Sequence, residues 1–248
     1  MTDPGDSGPS RRLIVNADDF GQSSVINRGV VQAHRKGIVT SASAMVRWPA
    51  APEAARHARD NRGLSVGLHV DLGEWAYRGG RWDPVHVVTD PSDPRGVGAE
   101  LARQLDRFHR LFRHAPTHLD SHQHVHRDEP LRSLLLEAAR DLGVPVRHFT
   151  PGVRYEGSFY GQTGRGEPLP EAISLPALLR ILAALPPGVT ELGCHPALGD
   201  HVASVYRAER NAEVAVLCDP RLRQAMAAAG IELRSFRDVP VATEQPAG

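Results

Sequence analysis

The chain has 248 residues, 41% hydrophobic and 23% charged, which suits one large α/β domain with a sizeable core. Lys plus Arg balance Asp plus Glu at 29 each, so no net field draws the protein to nucleic acid or anionic lipid, and no apolar run approaches membrane-spanning length. Two cysteines, Cys194 and Cys218, fit an intracellular complement better than a disulfide framework, although one bridge between them is compatible with the sequence.

Residues 1–10 are Pro, Gly, Ser and Asp without periodicity and read as a disordered leader; 242–248 read as a disordered tail, leaving a single domain over 11–241. Ser10-Arg11-Arg12 has the look of a twin-arginine signal. The apolar run that follows, 13–15, is far too short for one, so a cytoplasmic location is expected. Residues 13–16 are a buried-type strand and 24–35 a helix, with Ser23 or Ser24 at its start and Gly37 past its end. A small-residue strand follows over 40–46, then a helix over 51–59 with Pro52 in its first turn. Residues 65–70 are the third strand, and 73–98 an irregular stretch carrying Trp75 and Trp82. An amphipathic helix over 100–113 sets Leu101, Leu105, Phe108 and Phe112 on one side. The fourth strand is the histidine-rich 117–126, followed by a Leu-rich helix over 130–142 that Gly143 closes. A strand at 144–148 leads into a second long loop, 149–170, and a helix over 175–185. A strand over 189–194, helices over 207–217 and 220–229, and a strand over 232–236 complete the chain.

About seven strands alternating with helices imply parallel pairing and right-handed crossovers, in a closed or distorted (β/α) barrel or an open doubly wound sheet. The first βα turn, Ala17-Asp18-Asp19-Phe20-Gly21, is acidic and has no glycine-rich phosphate loop, which counts against nucleotide binding.

Reactive residues collect at the C-terminal strand ends, where parallel α/β folds place their sites. Asp18 and Asp19 follow the first strand, and His69 and Asp71 end the third. Arg147 and His148 close the fifth, and Cys194-His195-Pro196 the sixth. In the fourth, His118, Asp120, His122, His124 and His126 recur at every second position, so a strand puts all five on one face. Imidazoles and a carboxylate on one face suit a divalent cation; a solvated polar edge is the alternative. Adjacent carboxylates such as Asp18 and Asp19 serve one site only where the strand bends, and Gly21 offers a bend nearby. One would bind the cation and the other take a proton from water, although a plain turn explains the pair equally well. His69 and His195, taken singly, read as core histidines and gain weight only from the other strand ends; a histidine of ordinary pKa suits a general acid. Alternation turns Cys194 away from His195, so it reads as a small buried residue. Arg47, Trp48, Trp75, Tyr77, Trp82, Tyr155, Phe159 and Tyr160 crowd the strand ends and the two loops, lining a sugar pocket or anchoring the loops.

The segments 13–21 (Leu-Ile-Val-Asn-Ala-Asp-Asp-Phe-Gly), 37–41, 67–69, 116–126 (Pro-Thr-His-Leu-Asp-Ser-His-Gln-His-Val-His) and 191–196 (Glu-Leu-Gly-Cys-His-Pro) resemble the YdjC-like carbohydrate deacetylases, and the resemblance spans nearly all of 12–236. It implies a distorted parallel (β/α) barrel of the polysaccharide-deacetylase type. It further implies one divalent cation on Asp19, His69 and His122, with Asp18 as general base and His195 as proton donor. The reaction implied is hydrolysis of an N-acetyl group from an acetylated amino sugar or oligosaccharide. One carboxylate and two imidazoles admit Mg or Zn, and equally Mn, Co or Ni. His124, His126, Arg147, Trp48 and Tyr160 are expected against the substrate, and His118 and Asp120 beneath His122, fixing its ring. The expected partners are the sugar and, as one assembly, a second copy in a homodimer, with no nucleic acid and no membrane.

Two departures stand out. Gln123 occupies a position where many relatives have another His, on the side away from the metal. Ala197-Leu198 follows His195-Pro196 where relatives often have Gly-Tyr, which bears on the wall beside the acid. Two other readings stay open: an esterase or phosphoesterase on the same barrel, and a non-catalytic metal- or sugar-binding protein. A phosphoesterase needs a second ligand set, for which only His118, His124 and His126 are spare. A binding protein has no use for a free carboxylate beside Asp19.

Overall fold

The computed structural model describes residues 10–199 and 206–240; the leader at 1–10, Ser10 apart, and the tail at 242–248 lie outside the described residues. The sheet is built around β1 (Arg11–Phe20), whose last eight residues are all buried. Unbroken burial of this kind is what a parallel strand covered on both faces shows, here with Asn16, Asp18 and Asp19 buried among the apolar residues. β8 (Gly188–Cys194) lies along one side of β1, from Arg11↔Gly188 to Ala17↔Cys194. On the other side, β9 (Ile231–Arg234) pairs with Arg11 to Ile14, and β2 (Ser41–Ala44) takes over from Asn16 to Phe20. β3 (Ser65–Val70) and β6 (Leu119–Ser121) extend the sheet beyond β2, and β7 (Val153–Glu156) extends it beyond β8. All seven strands pair in parallel, in the order β6-β3-β2-β1-β8-β7 with β9 also on β1. The sheet curls into a half-barrel, the distorted parallel (β/α) architecture expected.

The helices α1 (Ser24–Lys36), α2 (Ala51–Asp60), α3 (Pro94–Phe112) and α4 (Leu131–Leu142) pack each against the next, and α6 (Ala208–Leu217) flanks α1 on its other side. α5 (Leu175–Ala184) packs on α7 (Pro220–Ala228). Starts follow local chemistry: the Ser23 and Ser174 hydroxyls and the Asp93 and Asp219 carboxylates accept backbone N–H groups at the heads of α1, α5, α3 and α7. Pro94 supplies a prepared first turn, so α3 begins six residues before the expected 100. Among the described residues, no helix is long and apolar enough to cross a membrane.

Three segments differ from expectation. The histidine-rich stretch is extended only over β6; from His122 to Arg127 it turns, with Gln123 and His124 left-handed (φ 51° and 55°). The Ser121 hydroxyl holds that turn, accepting the His126 N–H at 2.9 Å and lying 2.6 Å from its ring Nδ1. Residues 144–148 form no strand: Val146 makes a single bridge to Leu119, and its carbonyl accepts the N–H groups of Phe149 and Thr150 in a turn. Between 73 and 98 the chain makes an antiparallel hairpin, β4 (Gly73–Arg78) and β5 (Arg81–Val87). Gly79 and Gly80, both at positive φ (56° and 87°), form its two-residue turn.

One close approach links the helical layer to the strand ends. A Cβ on buried Gly29 of α1 would lie 2.4 Å from Ala197 Cα and 2.6 Å from Ala197 N, in the segment that follows His195. Backbone gives way poorly, so Gly29→Ala is expected to cost about 1–3 kcal/mol through overpacking. Urea unfolding reads this as a lower midpoint at unchanged slope; an unchanged midpoint would mean that α1 can simply shift.

Candidate active site

Two adjacent carboxylates reach one cavity because β1 breaks its register. The β1–β2 pairing shifts between Ala17 and Phe20, and Asp19 itself takes a left-handed backbone, φ 65°. The bend therefore lies at Asp19, ahead of the expected Gly21. Asp19 Oδ1 lies 3.1 Å from His122 Nδ1 and 3.5 Å from His69 Nε2. The ligand atoms of these three residues all fall within 4.8 Å of one another. The other Asp19 oxygen is taken, accepting a 2.6 Å bond from Arg210 Nη2. Asp19 Oδ1, which faces both rings, is buried with no hydrogen-bond partner, the kind of polar atom that a bound ion accounts for. One carboxylate and two imidazoles with room between them fit a divalent cation. A second grouping, Asp18, His69 and Asp120, shares His69, but Arg147 already lies between its two carboxylates.

Arg147 is fully buried and is the counter-ion of the whole floor. Its Nη1 and Nη2 each donate to one Asp18 oxygen at 2.7 Å, and Nη2 also lies 2.9 Å from Asp120 Oδ2. Nε donates to Glu191 Oε1 at 2.8 Å. Burial alone would raise the Asp18 carboxyl; Arg147, then His69, outweigh it and hold it below its ordinary value. Asp19 is likewise held well below the carboxylate range, against burial, by Arg210 and His122. Glu191 shares Arg147 with two stronger acids, and burial pushes it up to about 7. Asp120 Oδ1 sits 2.8 Å from His69 Nδ1, which directs Nε2 at Asp19. Burial opposes a charge on His69, but Asp120 and Asp18 raise it to about 10 in the metal-free protein. Asp120 thus orients His69 and not His122, and His118 binds elsewhere, its Nε2 2.9 Å from Ser43 Oγ.

His195 stands at the end of β8 with Nε2 3.8 Å from Asp18 Oδ2. Burial pushes its pKa down to about 4, so its ordinary value does not survive folding. Helix α6 fixes its backbone: the His195 N–H donates to Glu213 Oε2, and Arg210 Nη1 donates to its carbonyl at 3.4 Å. Cys194 is buried with Sγ toward the Asn16 carbonyl, and burial raises its thiol far above the ordinary value, so it is no nucleophile. Both cysteines are free thiols.

These groups open into a cavity of about 270 Å³. Asp18, Asp19, His69, His122 and His195 line it together, and of the residues expected against substrate His124 and Tyr160 join them. The other three do not. Arg147 is sealed beneath Asp18, and His126 is fully buried with Nε2 3.2 Å from the Arg147 carbonyl. Trp48 donates its indole N–H to Asp71 at 3.1 Å, outside the cavity, because β2 ends before it and the chain turns into α2. Ala197 and Leu198 pack behind His195 against α1, where the Leu198 N–H donates to the Val25 carbonyl at 2.9 Å, so this departure lies off the cavity wall. Arg210 and Glu213 were not anticipated. A charged pair three residues apart on a helix reads locally as a solvated face.

A family model described as YdjC-like protein matches residues 12–228. The chain belongs to the YdjC-like family. Similar curated relatives include a chitooligosaccharide deacetylase of Klebsiella pneumoniae strain 342, 36% identical over 92% of this chain and 99% of its own. A carbohydrate deacetylase of Geobacillus stearothermophilus is 32% identical over 92% and 98%. Among solved structures, an Enterococcus faecalis V583 protein superposes with a TM-score of 0.74 at 25% identity, covering 92% of this chain and 98% of that one. A peptidoglycan N-acetylglucosamine deacetylase shares the fold at 12% identity, with a TM-score of 0.58 over 94% and 90%.

Burial of one further histidine is expected to contribute acid sensitivity to this chain. His118 is fully buried, stacked on Phe236 at 3.8 Å, and burial lowers its pKa to about 3. The unfolded chain, near 6.5, binds this proton more readily between those two values, so the stability that neutral His118 contributes is complete above pH 6.5 and falls as pH drops through the window. His118→Gln cannot take the proton, and the pH slope of its unfolding free energy is expected to be shallower by up to about 1.4 kcal/mol per pH unit. Urea unfolding at pH 7 and pH 5 measures it; identical slopes would place the effect elsewhere.

Proposed function

We propose that this chain is a metal-dependent hydrolase that removes the N-acetyl group from an acetylated amino sugar or oligosaccharide. One observation carries the reading. The carboxylate and two imidazoles of Asp19, His69 and His122 share a cavity with a second carboxylate, Asp18, that lies 3.8 Å from a histidine, His195. The names of the curated relatives, both deacetylases of carbohydrates, point the same way.

Asp19, His69 and His122 would hold the cation, with Mg or Zn proposed first and Mn, Co or Ni compatible with the same donors. When bound, it supplies Lewis acidity, making water more acidic and polarising a carbonyl oxygen. Asp18 accepts a proton from the attacking water. Arg147, bonded to both of its oxygens, fixes the plane in which it does so. His195 delivers a proton to the amine as the C–N bond breaks, which an amine needs in order to leave. With its pKa near 4, His195 is neutral at rest, so the proton it delivers is gained during turnover, across the short gap to Asp18. The products are the free amine and acetate. A cytoplasmic setting fits the two free thiols.

Asp18→Asn is expected to lower acetate release from N-acetylglucosamine oligomers by about 10²-fold or more while bound metal stays at the wild-type level. Turnover equal to wild type would remove Asp18 from the mechanism. His122→Ala is expected to lose bound metal on dialysis, measured by elemental analysis, and full occupancy would exclude it as a needed ligand. A wild-type protein that cleaves acetyl esters and no acetamido sugar would make the chain an esterase.

A further inference from the structure

A second cavity, of about 310 Å³, lies between the β4–β5 hairpin and residues 160–166. Trp75, Tyr77 and Trp82 line it from the hairpin and Arg165 from the facing segment. Side chains alternate along β4: Glu74 and Ala76 are buried, while Trp75 and Tyr77 are half-buried. The register sets Tyr77 opposite Trp82, so the aromatic residues share one hairpin face. Trp82 is 56% exposed and meets Tyr77 edge-on at 5.6 Å, and the Arg165 guanidinium lies 5.8 Å from the Tyr77 ring centre. Nothing in the proposed reaction uses these groups.

The two cavities adjoin, with Gln123 and Tyr160 lining both. Gln123 also fixes their spacing. Its side-chain carbonyl accepts the Trp75 N–H and its amide donates to the Trp75 carbonyl, both at 2.8 Å. The residue after His122 therefore pairs with the hairpin as a strand would, and holds the aromatic face at a set distance from the candidate metal ligands.

We infer that this cleft, between the β4–β5 hairpin and residues 160–166, binds the sugar ring next to the acetamido unit that reacts. A sugar ring has apolar C–H faces and a polar hydroxyl rim. The rings of Trp75, Tyr77 and Trp82 match the faces, and the guanidinium of Arg165 matches the rim. The inference rests on the deacetylase reading for which ring reacts, and on the adjoining cavities for where the second ring lies.

Calorimetric titration of metal-stripped protein with N-acetylglucosamine and with its β-1,4-linked dimer and trimer tests it, in wild type, Trp82→Ala and Tyr77→Ala. The dimer is expected to bind wild type about tenfold tighter than the monomer, and the ratio to fall to about twofold or less in either variant. Trp82 is mostly solvent-exposed, so its removal leaves the core intact. Equal binding of monomer and dimer, a preference that survives both substitutions, or no binding of any of the three sugars overturns the cleft. Acetate release separates the two readings: a dimer that binds through Trp82 and yields no acetate keeps the cleft and overturns the deacetylase.

Discussion

A guanidinium sealed from water must be neutralised where it lies, and Arg147 meets that demand with carboxylates from three strands. Asp18 comes from β1, Asp120 from β6 and Glu191 from β8. In the sheet order β6 and β8 are separated by β3, β2 and β1, so only a curled sheet lets one ion touch all three. The same ion sets the chemistry. Asp120 shares its oxygens among Arg147, Ser43 and His69, and through His69 Nδ1 it turns Nε2 toward Asp19. Closure of the half-barrel, orientation of Asp18 and orientation of a candidate ligand are one arrangement. Losing Arg147 leaves three buried carboxylates facing one another, a cost that breaks the floor as a unit.

Much of that floor was legible because it lies at strand ends, and parallel strands were evident from apolar runs alternating with helical patterns. Asp18, Asp19, His69, His122 and His195 are all brought to one cavity. What escaped depended on backbone that a residue type does not announce. Asp19 and His124 adopt positive φ, which Asp and His visit only occasionally, so the bulge at one and the turn at the other have no local signature. The period-two histidines looked like one face for the same reason: the strand ends after Ser121, and His126 swings beneath it to bond Ser121 and Arg147. The hairpin is a different case. Gly79-Gly80 between two alternating runs is a strong turn signal, outweighed by the Pro, Gly and Asp residues around it.

Helix α6 marks the limit of local reading. Arg210 reaches Asp19 across 191 residues of sequence, and Glu213 holds the His195 N–H across 18. On a helical wheel such a pair belongs to solvent. Here both side chains are buried, because the Asp19 carboxylate and the backbone after β8 offer partners that exist only once the sheet has curled. The consequence is specific: Arg210 occupies Asp19 Oδ2, leaving Oδ1 to face His69 and His122.

Floor and walls therefore obey different constraints. The floor consists of buried ions whose partners are fixed several times over, so a change at one of them is transmitted to the rest. The walls, Tyr160 and the aromatic face of the hairpin, lie on separate segments: the Gln123–Trp75 pair ties the hairpin to the turn after His122, and Tyr160 meets the His195 ring edge-on at 5.1 Å. Substitutions there reshape the cavity wall without disturbing a buried charge. In a fold organised this way the walls can change while the floor stays fixed, and Gln123, which ties the hairpin to the turn after His122, sits where the histidine pattern is interrupted.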